Sequence, residues 1–369
     1  MTREDRRCVR CHLPVSYPGI RFDGQGVCSL CTAEPGPEKE YKGLDALKER
    51  VQGILSAPGA KDRPYDAAVA FSGGRDSTYL LYFLKNVLQL NVLAVTLSHD
   101  FLPEHTRQNI QRIAQDLGVD LQMIPNETLN DCSRRCVRTW AHRPSAPMLL
   151  TFCTGCRYGL VKQIPDYCRK QGIPILFMGY TRMEKMDYRR KLLSSDPERT
   201  GLVSRLTAYL GQAAANPRML TSLKCTMVHG LEYFYFYRSK KIEDTDLAVP
   251  VTISPFADYV YVPEETLLSA LESLGWQCDE AFGSTWRSDC YVNMLRQYYY
   301  DRMIGFNDLD VTFAAKVRQG LLPLDEALKR LEKEKQVSRE QLVQVLQTLY
   351  GLDFDEIERK IDRLEARNS

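Results

Sequence analysis

The chain has 369 residues, 44% hydrophobic and 26% charged, with 49 basic against 47 acidic side chains and a formal net charge of +2. This is the composition of an ordinary globular protein large enough for two or three domains, without the global basic field that would favour nucleic acid as a partner. No apolar run approaches a membrane span and no apolar stretch follows Met1–Arg7 as in a signal peptide, so a cytoplasmic protein is expected, whose 12 cysteines read as metal ligands or reactive thiols before disulfides.

Residues 1–40 hold Cys8-x-x-Cys11 and Cys28-x-x-Cys31, separated by 16 residues. Two such pairs match a four-cysteine zinc site, with a pair of disulfides as the alternative. Pro14, Pro18, Gly19, Gly24 and Gly26 leave little apolar material between them, so Zn2+ must supply the folding energy. A closed site does no chemistry, which gives the module a structural or docking role, and His12 is superfluous as a ligand. Residues 41–64 read as a linker carrying an amphipathic helix over Leu44–Leu55.

The chain is organised around one short stretch, residues 68–77. An apolar run, Ala67–Phe71, stops at Ser72-Gly73-Gly74-Arg75-Asp76-Ser77, and a helix-compatible run continues from Thr78 to Leu88. Strand, glycine turn and helix in that order present backbone N–H groups to an anion, and glycines let a phosphate approach. A plain strand–helix turn with an Asp or Ser cap is the simpler alternative.

Asn91–Leu97 is a second buried strand, Pro103–Leu117 a helix, Leu121–Ile124 a third strand and Ile173–Gly179 a further one. The alternation predicts an α/β domain over 65–255, a parallel sheet with helices on both faces. Ligands of such sheets sit at the strand C-termini, which makes Thr96, Leu97 and Gly179 candidates for adenine and ribose contacts or else plain sheet architecture. Arg134–Arg143, with Trp140, reads as a solvated basic helix face around one buried ring, with phosphate or nucleic-acid binding as the alternative.

Cys153-x-x-Cys156 precedes an apolar helix, and Cys225 lies at a distance beyond it. Three thiolates leave a metal position open; a cluster, a second zinc, a redox pair and buried thiols all fit the pattern. Cys132 and Cys136 share a helix face, with no third ligand in view. Residues 181–224, with Arg182, Lys185, Arg189, Arg190 and Lys191, read as a substrate loop or an exposed helix pair. Tyr233–Tyr237 has strand propensity, and Leu247–Pro255 either pairs with it or leads out of the domain. Residues 256–369 are mainly helical, with Leu342, Val345, Leu346, Leu349, Ile357 and Ile361 at helical spacing; packing on the same domain is expected, and dimerisation is the alternative.

Ser72–Ser77 resembles the pyrophosphate loop of the N-type ATP pyrophosphatases (the PP-loop, HUP-like fold), with Arg75 where that family carries Lys. The resemblance implies ATP cleaved between the α and β phosphates, the loop cradling pyrophosphate, Asp76 holding Mg2+, and Arg75, Asp76 and Ser77 as the catalytic set. Cys153, Cys156 and Cys225 are similar to the 4Fe-4S site of the tRNA-thiolating branch of that superfamily. A narrower resemblance runs from residue 8 to about 335. Cys8-x-x-Cys11-x-Leu13-Pro14, Gly19-Ile20-x-Phe22-Asp23, Ser288-Asp289-Cys290, Gly305-Phe306, Val317–Leu322 and Asp325–Leu328 look like the N-acetyl sugar amidotransferase family of bacterial surface-glycan pathways. That family implies an N-acetyl sugar nucleotide as acceptor and ammonia from a separate glutaminase partner. Sulfur transfer from a donor protein to a tRNA base or amide is the alternative enzyme, and a non-catalytic zinc-bearing interaction module the third reading.

Overall fold

The structure is a computed structural model that describes residues 6–33, 41–57, 63–184, 186–192, 207, 210–214, 216–218, 224–228, 230–231, 250–279, 282, 284–286 and 288–368. The aromatic run Tyr233–Tyr237, Lys185 and the Arg190 side chain lie outside the described residues.

Five parallel strands form one sheet in the order β3-β2-β1-β4-β5: β1 Ala67–Ala70, β2 Val92–Ser98, β3 Asp120–Pro125, β4 Ile175–Phe177 and β5 Val251–Ile253. The helices that surround the sheet and shape the site are α1 Leu44–Leu55, α2 Arg75–Tyr82, α3 Glu104–Asp116, α4 Glu127–His142, α5 Thr154–Tyr158, α6 Ile164–Lys170 and α7 Glu264–Ser273. The C-terminal region adds α8 Tyr291–Ile304, α9 Asp308–Arg318, α10 Leu324–Glu334, α11 Arg339–Val345 and α12 Phe354–Asn368.

Side-chain alternation along the strands builds two cores. Ala67, Val69, Val92, Ala94, Ile175, Phe177 and Ile253 pack with α1, α2, α3 and α7 through Leu47, Leu80, Ile110 and Leu267. Their neighbours Ala68, Leu93, Val95, Leu97, Leu176 and Met178 face the other way, onto Ile164 and Cys168 of α6. Both sheet faces are therefore covered, as a purely parallel sheet requires. Val251–Ile253 pairs with β4 and forms the edge of the sheet.

A third core joins the N-terminal module to the far end of the chain. Cys8, Leu13, Tyr17 and Val27 share it with Trp140, Tyr299, Tyr300, Leu342, Leu346, Ile357 and Ile361. The C-terminal helical pair thus packs on its own chain, Trp140 is fully buried on α4, and Arg7 reaches Gly305 O at 2.7 Å and Asp310 Oδ1 at 3.3 Å. Among the described residues no helix is long and apolar enough to cross a membrane.

Candidate functional site

The strand order reverses between β1 and β4, and the crevice at that switch point is where sheets of this kind bind ligands. The segment after β1 is a compact hydroxyl-bearing turn. Ser72 Oγ and Ser77 Oγ lie 3.1 Å apart, Ser72 N–H donates to Ser77 Oγ at 3.2 Å, and Gly74 N–H donates to Ser72 Oγ at 3.3 Å. Ser77 Oγ donates in turn to Gly74 O at 3.0 Å. Gly74 caps α2 in an extended conformation, so the helix N–H groups begin at the turn.

One glycine here is required by space, and a second marks where the end of β4 meets α2. Gly73 has φ +75°, and a Cβ on it would stand 2.6 Å from Ile110 Cγ1. Gly179, two residues beyond β4, lies so close to α2 that a Cβ would be 3.4 Å from Ser77 N and 3.5 Å from Asp76 O. The structure therefore brings Ser72, Gly73, Gly74, Asp76, Ser77 and Gly179 together at one crevice. Ser72 is exposed, Asp76 half-buried and Ser77 buried. Thr96 is used inside the sheet, where its Oγ1 donates to Phe71 O at 2.6 Å, and the Leu97 side chain belongs to the core against α6.

Arg75 points elsewhere than the resemblance implies. Its side chain is only 4% exposed; Nη1 donates to Glu264 Oε1 at 2.9 Å and Nε to Asp76 Oδ2 at 3.3 Å, and the guanidinium lies 3.9 Å over the Trp286 ring. Glu264 also receives Lys316 and Arg330. Burial would raise the Glu264 pKa, but Arg330, Arg75 and Lys316 outweigh it and hold the carboxyl well below its usual range. The arginines of the basic segment are likewise engaged. Arg182 donates to Ala257 O and covers Tyr41, while Arg189 pairs with the buried Asp308, so neither is a free cation for a substrate.

The segment before α8 supplies what sequence reasoning passed over. Asp289 lies on the turn, its Oδ2 3.1 Å from where a Cβ on Gly74 would be. His105 Nε2 contacts Ser288 O at 3.1 Å, and Tyr291 N–H donates to Phe101 O at 3.0 Å, which fixes the segment across the end of β2 and the start of α3. The string Ser288-Asp289-Cys290 was visible; its approach to Gly74 was not.

Cys8, Cys11, Cys28 and Cys31 place all four Sγ atoms within 4.8 Å of one another, at 3.8 Å for Cys8–Cys31 and 3.6 Å for Cys11–Cys28. Tetrahedral zinc with 2.3 Å bonds needs sulfurs about 3.8 Å apart, so the set fits a metal ion. Among the described residues it is the one group this tight. Cys225 does not join Cys153 and Cys156 as expected. It packs with Cys132 and Cys136 instead. Burial pushes the Cys156 thiol up to about 12.

No protein-family model matches the chain. An uncharacterized protein of Methanocaldococcus jannaschii is 23% identical over 175 residues, 47% of this chain and 58% of that protein, so the match spans less than two thirds of the relative. Solved structures with similarity include the U34-tRNA thiolase NcsA of Methanococcus maripaludis with its 4Fe-4S cluster, at 10% identity over 95% of both chains and a TM-score of 0.35. NMN synthetase of Francisella tularensis is 9% identical over 80% of this chain and 96% of that one, with a TM-score of 0.36. At TM-scores below 0.5 neither likeness bears on the chemistry.

Proposed function

We propose that the chain is an ATP-dependent, AMP-forming transferase that replaces the oxygen of an N-acetyl group on a sugar nucleotide with nitrogen. The observation that carries the ATP half of the reading is the paired Ser72 and Ser77 hydroxyls with the Gly74 N–H at the start of α2, set at the switch point of the sheet, and the acceptor rests on the motif resemblance. In this reading the turn holds the pyrophosphate end of ATP and steadies its growing charge, and Asp76, partly open to solvent, holds Mg2+ with its waters. The amide oxygen attacks the α phosphorus, the α–β bond breaks, and pyrophosphate leaves as the oxygen becomes adenylylated. Ammonia from a separate glutaminase then adds to the amide carbon, and AMP departs with the oxygen, leaving an amidine. Gly179 lets the nucleotide approach α2, and Thr96 and Leu97 act through the sheet that shapes the site. The N-terminal four cysteines hold Zn2+ as a brace.

Sulfide as the nucleophile is the second reading. It is favoured by the thiol of Cys153, which accepts from Arg296 Nη1 at 3.2 Å. Both readings share the first half-reaction. Incubation with ATP, Mg2+, an N-acetyl sugar nucleotide and ammonium chloride tests them. AMP, pyrophosphate and an amidine are expected; AMP formation dependent on sulfide instead would replace the first reading with the second, and ADP as product would sink both.

A further inference from the structure

Trp286 belongs to two parts of the molecule at once. Its ring lies 3.9 Å from the Arg75 guanidinium at the start of α2, and it also lines a cavity walled by α8, the start of α9 and the end of α10. The stretch of chain that carries it touches the phosphate turn at three successive positions. Trp276 Nε1–H donates to Gly73 O at 2.9 Å, Asp289 lies on Gly74, and Thr285 Oγ1 accepts from Arg75 Nη1 at 3.4 Å. The cavity therefore adjoins the proposed ATP site through a single side chain.

The chemistry of the lining is selective. Trp286 is 7% exposed, and its Nε1–H has no acceptor among the described residues. A buried donor in that state is costly, and a ligand oxygen would relieve it. The charges around the cavity are already paired. Asp301 meets Lys335, Asp308 meets Arg189, and Glu334 accepts from Arg330 and from Ser284, each at 2.8 Å. Paired charges do not call for an ion, yet each carboxylate oxygen keeps lone pairs to spare. The cavity encloses about 40 Å3, room for about three waters. A neutral ligand whose atoms both donate and accept matches such a lining, and hydroxyl groups do both.

We propose that this cavity seats the hydroxyl-bearing edge of a sugar. Trp286 Nε1–H donates to one ligand oxygen, and Asp301 and Glu334 accept from neighbouring hydroxyls. The ring itself stays at the mouth, since the enclosed space takes only its substituents. That this sugar is the acceptor rests on the function proposed above; the cavity's preference for hydroxyls does not.

Titration calorimetry on the full chain tests the site with UDP-N-acetylglucosamine and with UDP, which lacks the sugar. Wild type is expected to bind the sugar nucleotide about 10-fold more tightly, the margin that one or two well-placed hydrogen bonds provide. Trp286→Phe keeps a ring against Arg75 and removes the N–H, so it loses most of that margin while its affinity for UDP is unchanged. Asp301→Asn loses part of it. If Trp286→Phe fails to fold, amide exchange of wild type decides, because the sugar nucleotide but not UDP is expected to slow exchange in residues 294–301. Equal affinity of wild type for the two probes, an undiminished margin in Trp286→Phe, or exchange that responds equally to both overturns the proposal. Sugar-dependent binding without AMP formation from ATP sinks the function proposed above and leaves the cavity assignment standing. AMP formation with a margin that ignores Trp286 does the reverse.

Discussion

Arg75 Nη1 donates to Glu264 Oε1 at 2.9 Å, joining the first residue of α2 to a helix 189 positions further along the chain. The contact locks the proposed phosphate turn to the C-terminal region, because Glu264 also holds Lys316 of α9 and Arg330 of α10. Removing one member leaves buried charge without its partner. Glu264→Gln is expected to lower unfolding stability by about 3 kcal/mol. Arg75→Lys, which keeps the charge but gives up the planar stack on Trp286, should cost about 1 kcal/mol. Urea unfolding checks both; a Glu264→Gln protein as stable as wild type would show that the hub contributes nothing to stability.

Gly73 and Gly74 should respond differently to alanine. At Gly73 the positive φ and the clash with Ile110 act together, so Gly73→Ala is expected to destabilise by about 2 kcal/mol. Gly74 has an ordinary φ, and the atoms nearest to a Cβ there belong to the Asp289 side chain. Asp289→Ala should therefore recover most of the stability lost in Gly74→Ala. A double-mutant cycle by thermal melting measures this, and simple additivity would contradict the contact.

These two contacts show where sequence reading stops. The strand–turn–helix at 67–82, the helix over Leu44–Leu55 and the four N-terminal cysteines were legible because each is encoded by local pattern: apolar runs, glycines, and paired thiols at short spacing. The partners of Arg75 were not. Glu264 and Trp286 come from distant segments, and only tertiary packing brings them to Arg75. Nothing local says that Cys225 packs with Cys132.

His99, just past β2, is 9% exposed and accepts the Phe101 N–H at Nδ1. Burial, helped by Arg107, depresses its pKa from 6.5 to about 4. The unfolded chain takes up this proton first as pH falls. The stability it contributes is thus complete above pH 6.5 and is lost as pH falls towards 4, by on the order of 3 kcal/mol. In His99→Asn that component disappears, so the stability gap between variant and wild type should change across this window. Parallel stability curves would contradict it.

The N-terminal module is tied to the C-terminal helices by Arg7, by Ser16 Oγ, which donates to Ile304 O at 2.6 Å, and by Arg318, which donates to Cys11 Sγ at 3.5 Å. Chelation of the metal proposed for its four cysteines is expected to lower the melting temperature and to speed amide exchange in residues 303–306 along with residues 8–31. Confirmed metal loss with unchanged melting would remove the bracing role.

The most direct test of AMP-forming transfer at this turn is product analysis of ATP turnover by wild type and Ser77→Ala, with Mg2+, an N-acetyl sugar nucleotide and ammonium chloride present. AMP and pyrophosphate in equal amounts are expected from wild type, falling by about 100-fold in Ser77→Ala, the size expected for loss of one well-placed group that stabilises developing charge. ADP and phosphate as products, or an AMP-forming rate unchanged by Ser77→Ala, would contradict it.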